Sequence, residues 1–126
     1  MRTVLFPAVG VAAALILGSC GGAREGDACT REGYRCDGAS AVLECRGNRW
    51  VALPCSGPGG CSSVIGGTTC DVTGNQVGDG CPAAMEGSGF CRGNPPSLFA
   101  CRSLLLVKLQ DCSSCVVGTG SITCSP

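Results

Sequence analysis

Twelve of the thirteen cysteines in this chain fall into two successive runs of six, and that repetition constrains the fold more than any other feature. The first run reads C-x6-C-x8-C-x9-C-x5-C-x8-C from Cys29 to Cys70, and the second C-x9-C-x9-C-x10-C-x2-C-x8-C from Cys81 to Cys124. Flanking residues repeat with them. Gly26-Asp27-Ala28-Cys29 answers Gly78-Asp79-Gly80-Cys81, Leu43-Glu44-Cys45 answers Phe99-Ala100-Cys101, and Gly66-Gly67-Thr68-Thr69-Cys70 answers Gly120-Ser121-Ile122-Thr123-Cys124. A fixed internal period of this kind marks a duplicated unit. The boundaries expected are a first module over residues 26–71, a linker over 72–77 with no cysteine and a Gly74-Asn75 turn signal, and a second module over 78–126.

Each module of about 45 residues is too short to be stable on apolar burial alone. Cysteine exceeds the roughly 8 to 10 % that marks a disulfide scaffold, and bridges at about 3 kcal/mol each would carry the fold. All twelve cysteines, Cys29, Cys36, Cys45, Cys55, Cys61, Cys70, Cys81, Cys91, Cys101, Cys112, Cys115 and Cys124, are expected in disulfides. Which pairs with which is open in the sequence. The local pattern is strand, turn, strand. Ala41 to Cys45 and Trp50 to Leu53 flank Arg46-Gly47-Asn48-Arg49, whose Gly and Asn suit a tight hairpin. Ser97 to Cys101 and Leu104 to Leu109 stand in the same places, around a poorer turn at Arg102-Ser103. A third strand, Thr68 to Val72 or Ser121 to Cys124, closes each module. Helix is not expected in the modules, because Gly and Cys interrupt every long window. The fold class is therefore small disulfide-rich β, two tandem modules of short hairpins.

Ahead of the modules stands a different kind of segment. Arg2 opens a short positive region, and Val4 to Leu17 is nearly continuous apolar sequence ending in Gly18-Ser19, the pattern of an export signal over residues 1–19. The stretch falls short of the roughly 20 residues a permanent span needs. Leu17-Gly18-Ser19-Cys20 resembles the lipobox of bacterial lipoproteins. That resemblance implies cleavage before Cys20, a diacylglyceryl group on its sulfur and a further acyl chain, such as palmitate, on its amine. An odd cysteine in an exported chain calls for a separate role, and lipidation of Cys20 leaves an even twelve. Two or three acyl chains hold a protein to a bilayer far more firmly than one. Residues 20–25, with Gly21-Gly22, read as a tether. In enterobacterial lipoproteins an Asp after the lipid cysteine retains the protein at the inner membrane; Gly21 in that place favours the outer membrane.

Taken together, Gly-Asp-x-Cys, Asp37-Gly38 after the second cysteine, Leu43-x-Cys45, Gly47-x-x-Trp50, Cys55, Gly60-Cys61 and Cys70-Asp71 resemble cysteine-rich lipoproteins of myxobacteria and related bacteria. The likeness covers Leu17 to Cys124. The second copy departs from it, lacking the Gly and Trp of the hairpin and having Ser125 where the first copy has Asp71. That family has no established activity, so the resemblance implies compartment and architecture but no chemistry. Cys45-x-Gly47-x-x-Trp50-x-x-x-Pro54-Cys55 is also similar to the end of a sushi domain, which carries four cysteines over a longer span.

The chain has no His, nine Lys+Arg, nine Asp+Glu and a formal net charge of +0. Missing His removes the commonest general base and metal ligand, and the neutral balance offers no basic footprint for nucleic acid. No cofactor, metal or catalytic residue is implied. Cys112-Ser113-Ser114-Cys115 has redox or zinc spacing, but the Val116 to Gly120 stretch after it is not helical in pattern and Cys55 and Cys61 stand in its place in copy one, so a shortened structural loop is the expectation. The carboxylates recurring in both copies, Asp27 with Asp79 and Glu32 with Glu86, suit turn or backbone caps at the module entrance better than catalysis. Trp50 is expected as a core plug, with an exposed contact for a ligand as the alternative. The apolar run Leu104 to Leu109 is expected to pack copy two against copy one, with a docking edge for an envelope protein as the alternative.

The functional expectation is a non-enzymatic, lipid-anchored protein of the bacterial cell envelope, a structural or recognition element held at the membrane by Cys20, with an envelope or extracellular protein as partner. Two other classes compete. An inhibitor or binder of extracellular hydrolases would present a cysteine-bounded loop such as Ser56 to Gly60, and a thiol oxidoreductase would use Cys112 and Cys115.

Overall fold

The computed structural model describes residues 22–126, so the export signal expected over residues 1–19 and Cys20 lie outside the described residues. The described residues are all-β, with ten short strands in four small antiparallel sheets. In the first copy β1 (Tyr34–Cys36), β2 (Ala41–Arg46) and β3 (Arg49–Pro54) form a meander in that order, and β4 (Cys61–Val64) pairs with β5 (Gly67–Cys70) as a separate hairpin. The second copy repeats this with β6 (Gly89–Arg92), β7 (Ser97–Arg102) and β8 (Leu105–Asp111) in one sheet and β9 (Ser114–Gly118) with β10 (Ser121–Ser125) in the other. The anticipated closing strands are present as β5 and β10. They pair with β4 and β9, which with β1 and β6 were not legible: β1, β4 and β6 are short and hold at most one β-branched residue, and the Val116-Val117 pair of β9 shows no alternation. Among the described residues the one helical element is a 3-10 turn, Ala83–Met85.

The six disulfides follow one rule. In each copy the first cysteine joins the third, the second the fifth and the fourth the sixth: Cys29–Cys45, Cys36–Cys61 and Cys55–Cys70, then Cys81–Cys101, Cys91–Cys115 and Cys112–Cys124. Cα separations run from 5.2 to 6.1 Å, inside the usual bridging range. The second bridge fastens the meander to the hairpin, β1 to β4 and β6 to β9.

Register explains the turns. Arg46 pairs with Arg49 and Arg102 with Leu105, so each meander has a two-residue turn. Gly47 and Asn48 take φ of 56 and 63°, and Ser103 and Leu104 take 52 and 61°. Both are left-handed at both central positions, as the right-handed twist of a hairpin requires. Gly and Asn tolerate that conformation, whereas Ser and above all Leu are strained in it. Glu86 answers the strain: its carboxylate accepts the Ser103 N–H at 2.7 Å and the Leu104 N–H at 2.8 Å. The extra residue between the third and fourth cysteines of copy two is absorbed as a bulge. Leu98 pairs with Gln110 and Phe99 with Lys108, leaving Leu109 unpaired.

Two small cores result. Val42, Leu53 and Cys55 are buried in the first, with Tyr34, Val51, Cys61 and Cys70 packed against them. Cys81, Phe99, Cys101 and Leu106 fill the second, with Met85 and Phe90 against them. Phe90 stacks on Phe99, and the Arg92 guanidinium lies 4.2 Å from the Phe99 ring centre, a cation–π contact.

Candidate functional site

The two copies meet through a polar joint centred on Glu44, a carboxylate only 4 % exposed. Tyr34 and Glu44 sit directly opposite on β1 and β2, and the Tyr34 hydroxyl donates to Glu44 Oε1 at 2.7 Å. Arg46 Nε donates to Glu44 Oε2, and its Nη2 reaches across to the Cys81 carbonyl at 2.7 Å. From copy two, the Ala83 N–H donates to Glu44 Oε1 at 2.8 Å and the Ala84 N–H to the Tyr34 hydroxyl at 2.9 Å. Burial, then the bond to the Glu44 carboxylate, pushes the Tyr34 phenol above its ordinary value. A buried carboxylate with three donors is fully satisfied and therefore acts as a fastener. The loop it holds exists because copy two has nine residues between its first two cysteines where copy one has six.

The 72–77 stretch is packed as well. Asn75 is fully buried; its Oδ1 accepts the Ser56 N–H and its Nδ2 donates to the Pro54 carbonyl, both at 2.8 Å. Arg92 Nη1 donates to the carbonyls of Thr73 and Asn75. Gly80 lies so close to Leu53 that an added Cβ would stand 2.8 Å from its Cδ2, so the two copies abut without a side chain between them.

The recurring aspartates cap turns as expected: the Arg24 N–H donates to Asp27 and the Gln76 N–H to Asp79, each at 2.8 Å. Glu86 caps the β7–β8 turn, while Glu32 is exposed. Trp50 is half-buried and belongs to neither core. It lines a shallow cleft with Thr30, Arg31 and Arg35, so the core-plug expectation is not met. Leu106, opposite Cys101 as Trp50 is opposite Cys45, is the plug of copy two.

The run Leu104 to Leu109 does not join the copies in the way expected. Strand alternation turns Leu106 into its own core and leaves Leu105 and Leu109 nearly half exposed, and the joint is made by the Cys81–Ala84 loop instead. Leu104 alone reaches the cleft shared with Arg46 and Asn48. Ser56 to Gly60 folds as a tight turn rather than an extended loop. Gly57 is buried, the Gly57 N–H donates to the Asp71 carbonyl, and the Gly59 N–H donates to Asp71 Oδ2 at 2.9 Å. No Cβ fits at Gly57 against the Asp71 carboxylate. The Thr73 hydroxyl, followed by the Gly59 and Thr73 N–H groups, holds Asp71 below the ordinary carboxylate value. Cys112 and Cys115 belong to different bridges, with Cys124 and Cys91. The arrangement needed for a C-x-x-C redox pair is therefore absent, because the two thiols are already used to hold separate strands.

Sequence reasoning missed a cleft of about 500 Å³ on copy two, lined by Leu98, Leu109, Val117 and Ile122 together with Ser88, Arg102 and Ser121. Its signal was present in the alternation of Leu98 and Ala100 along one strand, but only the pairing of β6 with β7 brings Gly89 beside them. Among the described residues no cluster of three metal-ligating side chains occurs, and no helix is long and apolar enough to cross a membrane. Comparisons with protein-family models, curated proteins and solved structures find nothing that matches this chain.

Proposed function

We propose that this chain is a non-enzymatic, lipid-anchored protein of the bacterial cell envelope, more specifically of the outer membrane, in which two stapled modules form a rigid recognition element. The observation that carries this reading is the open cleft on copy two, where Leu98, Leu109, Val117 and Ile122 stand beside Arg102 and Ser121 on a scaffold held by bridges and satisfied polar groups. An open surface of mixed apolar and polar lining on a small exported module suits a protein partner. The anchor rests on the Leu17-Gly18-Ser19-Cys20 motif and on the odd cysteine count, and the twelve paired cysteines suit an oxidising compartment. Inhibition of hydrolases has less support, since the Ser56 to Gly60 turn is folded over Asp71 and offers no extended segment to a protease cleft. A thiol oxidoreductase has least, given the separate bridges of Cys112 and Cys115.

Intact-mass and peptide mapping of the protein extracted from its native membrane, before and after reduction, tests the reading. The expected result is acylated Cys20 as the new N-terminus and no free thiol among the other twelve cysteines. An unmodified Cys20 removes the anchor, and a free Cys112 or Cys115 revives thiol chemistry.

A further inference from the structure

We infer that the cleft beside Trp50 on copy one binds an acidic saccharide, a hexuronate ring stacked on the indole with its carboxylate held by Arg31 and Arg35. Strand register brings the platform and one of the cations to a common face. Arg35 lies opposite Leu43 and Trp50 opposite Cys45, so these four side chains share one face of the first meander, turned away from the Val42 and Leu53 core. Copy two builds its own core on the equivalent face. Phe90 lies opposite Phe99 and Leu106 opposite Cys101, and Met85 from the longer entrance loop packs against them. Copy one has Arg35 in the place of Phe90, Trp50 in the place of Leu106 and an entrance loop three residues shorter, which lines the face with Thr30, Arg31 and Glu32 instead of an apolar cover. Leu43 on that face is fully buried, so apolar packing is complete without a lid over Trp50. The open cleft has a volume of about 350 Å³, at the lower end of the range of small-molecule sites.

The lining selects the class of ligand. An indole offers a flat face of negative potential, the counterpart of the outward C–H bonds of a pyranose ring. Arg31 and Arg35 are both exposed, and neither forms an ion pair among the described residues; Arg46 and Arg49, by contrast, are held by Glu44 and by the Gly26 carbonyl. Guanidiniums without a partner suit a carboxylate, which they bind through paired N–H donors. Glu32 belongs to the same lining, so two guanidiniums and one carboxylate leave a single net positive charge. That balance disfavours a polyanion and fits one carboxylate on a ring whose hydroxyls meet Glu32 and Thr30. A peptide is less suited, because neither edge of the meander is free to take it as an added strand. The outer edge of β3 is taken by Gly26 to Cys29: the Gly26 N–H donates to the Trp50 carbonyl, the Trp50 N–H to the Asp27 carbonyl and the Cys29 N–H to the Asn48 carbonyl. The outer side of β1 is fastened to the β4–β5 hairpin by the Thr68 hydroxyl on the Tyr34 carbonyl and by the Cys36–Cys61 bridge. The site is separate from the cleft on copy two and from any lipid on Cys20, so it stands or falls independently of both.

Trp50 is the one tryptophan of the chain, so the intrinsic fluorescence of the full chain in detergent reads this cleft directly. The probes are tetramers of galacturonate and of mannuronate, with cellotetraose as the neutral comparison and tetraglutamate as the acidic peptide. At least one uronate tetramer is expected to shift the Trp50 emission saturably, with an affinity at least tenfold above those of cellotetraose and tetraglutamate. Arg31→Gln and Arg35→Gln should each weaken that affinity at least tenfold, while Arg102→Gln, exposed on copy two, should leave it unchanged. Trp50→Leu, the residue copy two carries at that register position, should abolish binding measured by calorimetry with disulfide mapping unaltered. No saturable shift with either uronate, equal binding of cellotetraose or tetraglutamate, indifference to both glutamine variants, or binding retained in a correctly bridged Trp50→Leu chain each overturns the inference.

Discussion

The two modules share bridge connectivity, strand order and the two-residue turn between the second and third strands of the meander, yet three of the four spacing differences within the first five cysteines of copy two each have a distinct structural consequence. Three added residues make the loop that docks on Glu44, one added residue makes the Leu109 bulge, and three lost residues remove the turn that Asp71 holds in copy one. The comparison teaches that a stapled scaffold tolerates changed spacing between fixed bridges and turns such changes into surface. It also separates two ways of stabilising the same hairpin. Copy one uses residues suited to a left-handed turn, and copy two uses unsuited residues restrained by a remote carboxylate.

Equivalence of the modules is challenged most severely at the bridges. Replacing Cys36 and Cys61 by Ser should cost about 3 kcal/mol or somewhat more, and so should replacing Cys91 and Cys115, since the sequence separations are 25 and 24. Denaturant unfolding without reductant reads both, and markedly unequal losses would break the comparison. Next in size is Glu44→Ala. It leaves Arg46 and the Ala83 N–H without their acceptor at the joint, at a cost of about 3 kcal/mol, and a single unfolding transition should separate into two, one per module. Two coincident transitions would show that Glu44 is not the fastener.

A smaller loss, about 1 to 2 kcal/mol, is expected for Glu86→Ala, which releases the Ser103 and Leu104 N–H groups. Introducing the copy-one turn by Ser103→Gly with Leu104→Asn should recover most of it, because the left-handed positions then need no restraint. Failure of the rescue would sink the strain argument. The smallest effect concerns acid. Asp71 has its pKa lowered in the fold, so its stabilising contribution is complete above the ordinary carboxylate value and is lost as pH falls through the lowered one. The Gly59 and Thr73 amide resonances should titrate together below that ordinary value, and Asp71→Asn should abolish the titration.

The duplication, the β2–β3 and β7–β8 hairpins and the aspartate caps were legible because each depends on near neighbours: a Gly-Asn turn, a Gly-Asp-x-Cys entrance, a run of alternating residues. Bridge pairing was not, since six cysteines within some 45 residues are all within reach of one another. Trp50 and Leu106 show the limit for core prediction. They hold the same register position, but burial there depends on Met85, supplied by the longer loop of copy two. Glu44 was legible only as one carboxylate among nine; its burial comes from a loop about 40 residues later. The cleft on copy two required knowing which strands are neighbours.

The interlaced bridges have a further consequence for how the chain would respond to proteolysis. The spans 29–45, 36–61 and 55–70 overlap, as do 81–101, 91–115 and 112–124. One cut anywhere inside either set leaves the fragments covalently joined. Between Cys29 and Cys124 only residues 71–80 lie under no bridge, so a nick there would leave the two modules joined by noncovalent contacts alone. That stretch is the one held by the buried Asn75 amide and by Arg92 on the Thr73 and Asn75 carbonyls, which denies a protease the extended backbone it needs at the single place where one cleavage would sever the covalent link between the modules.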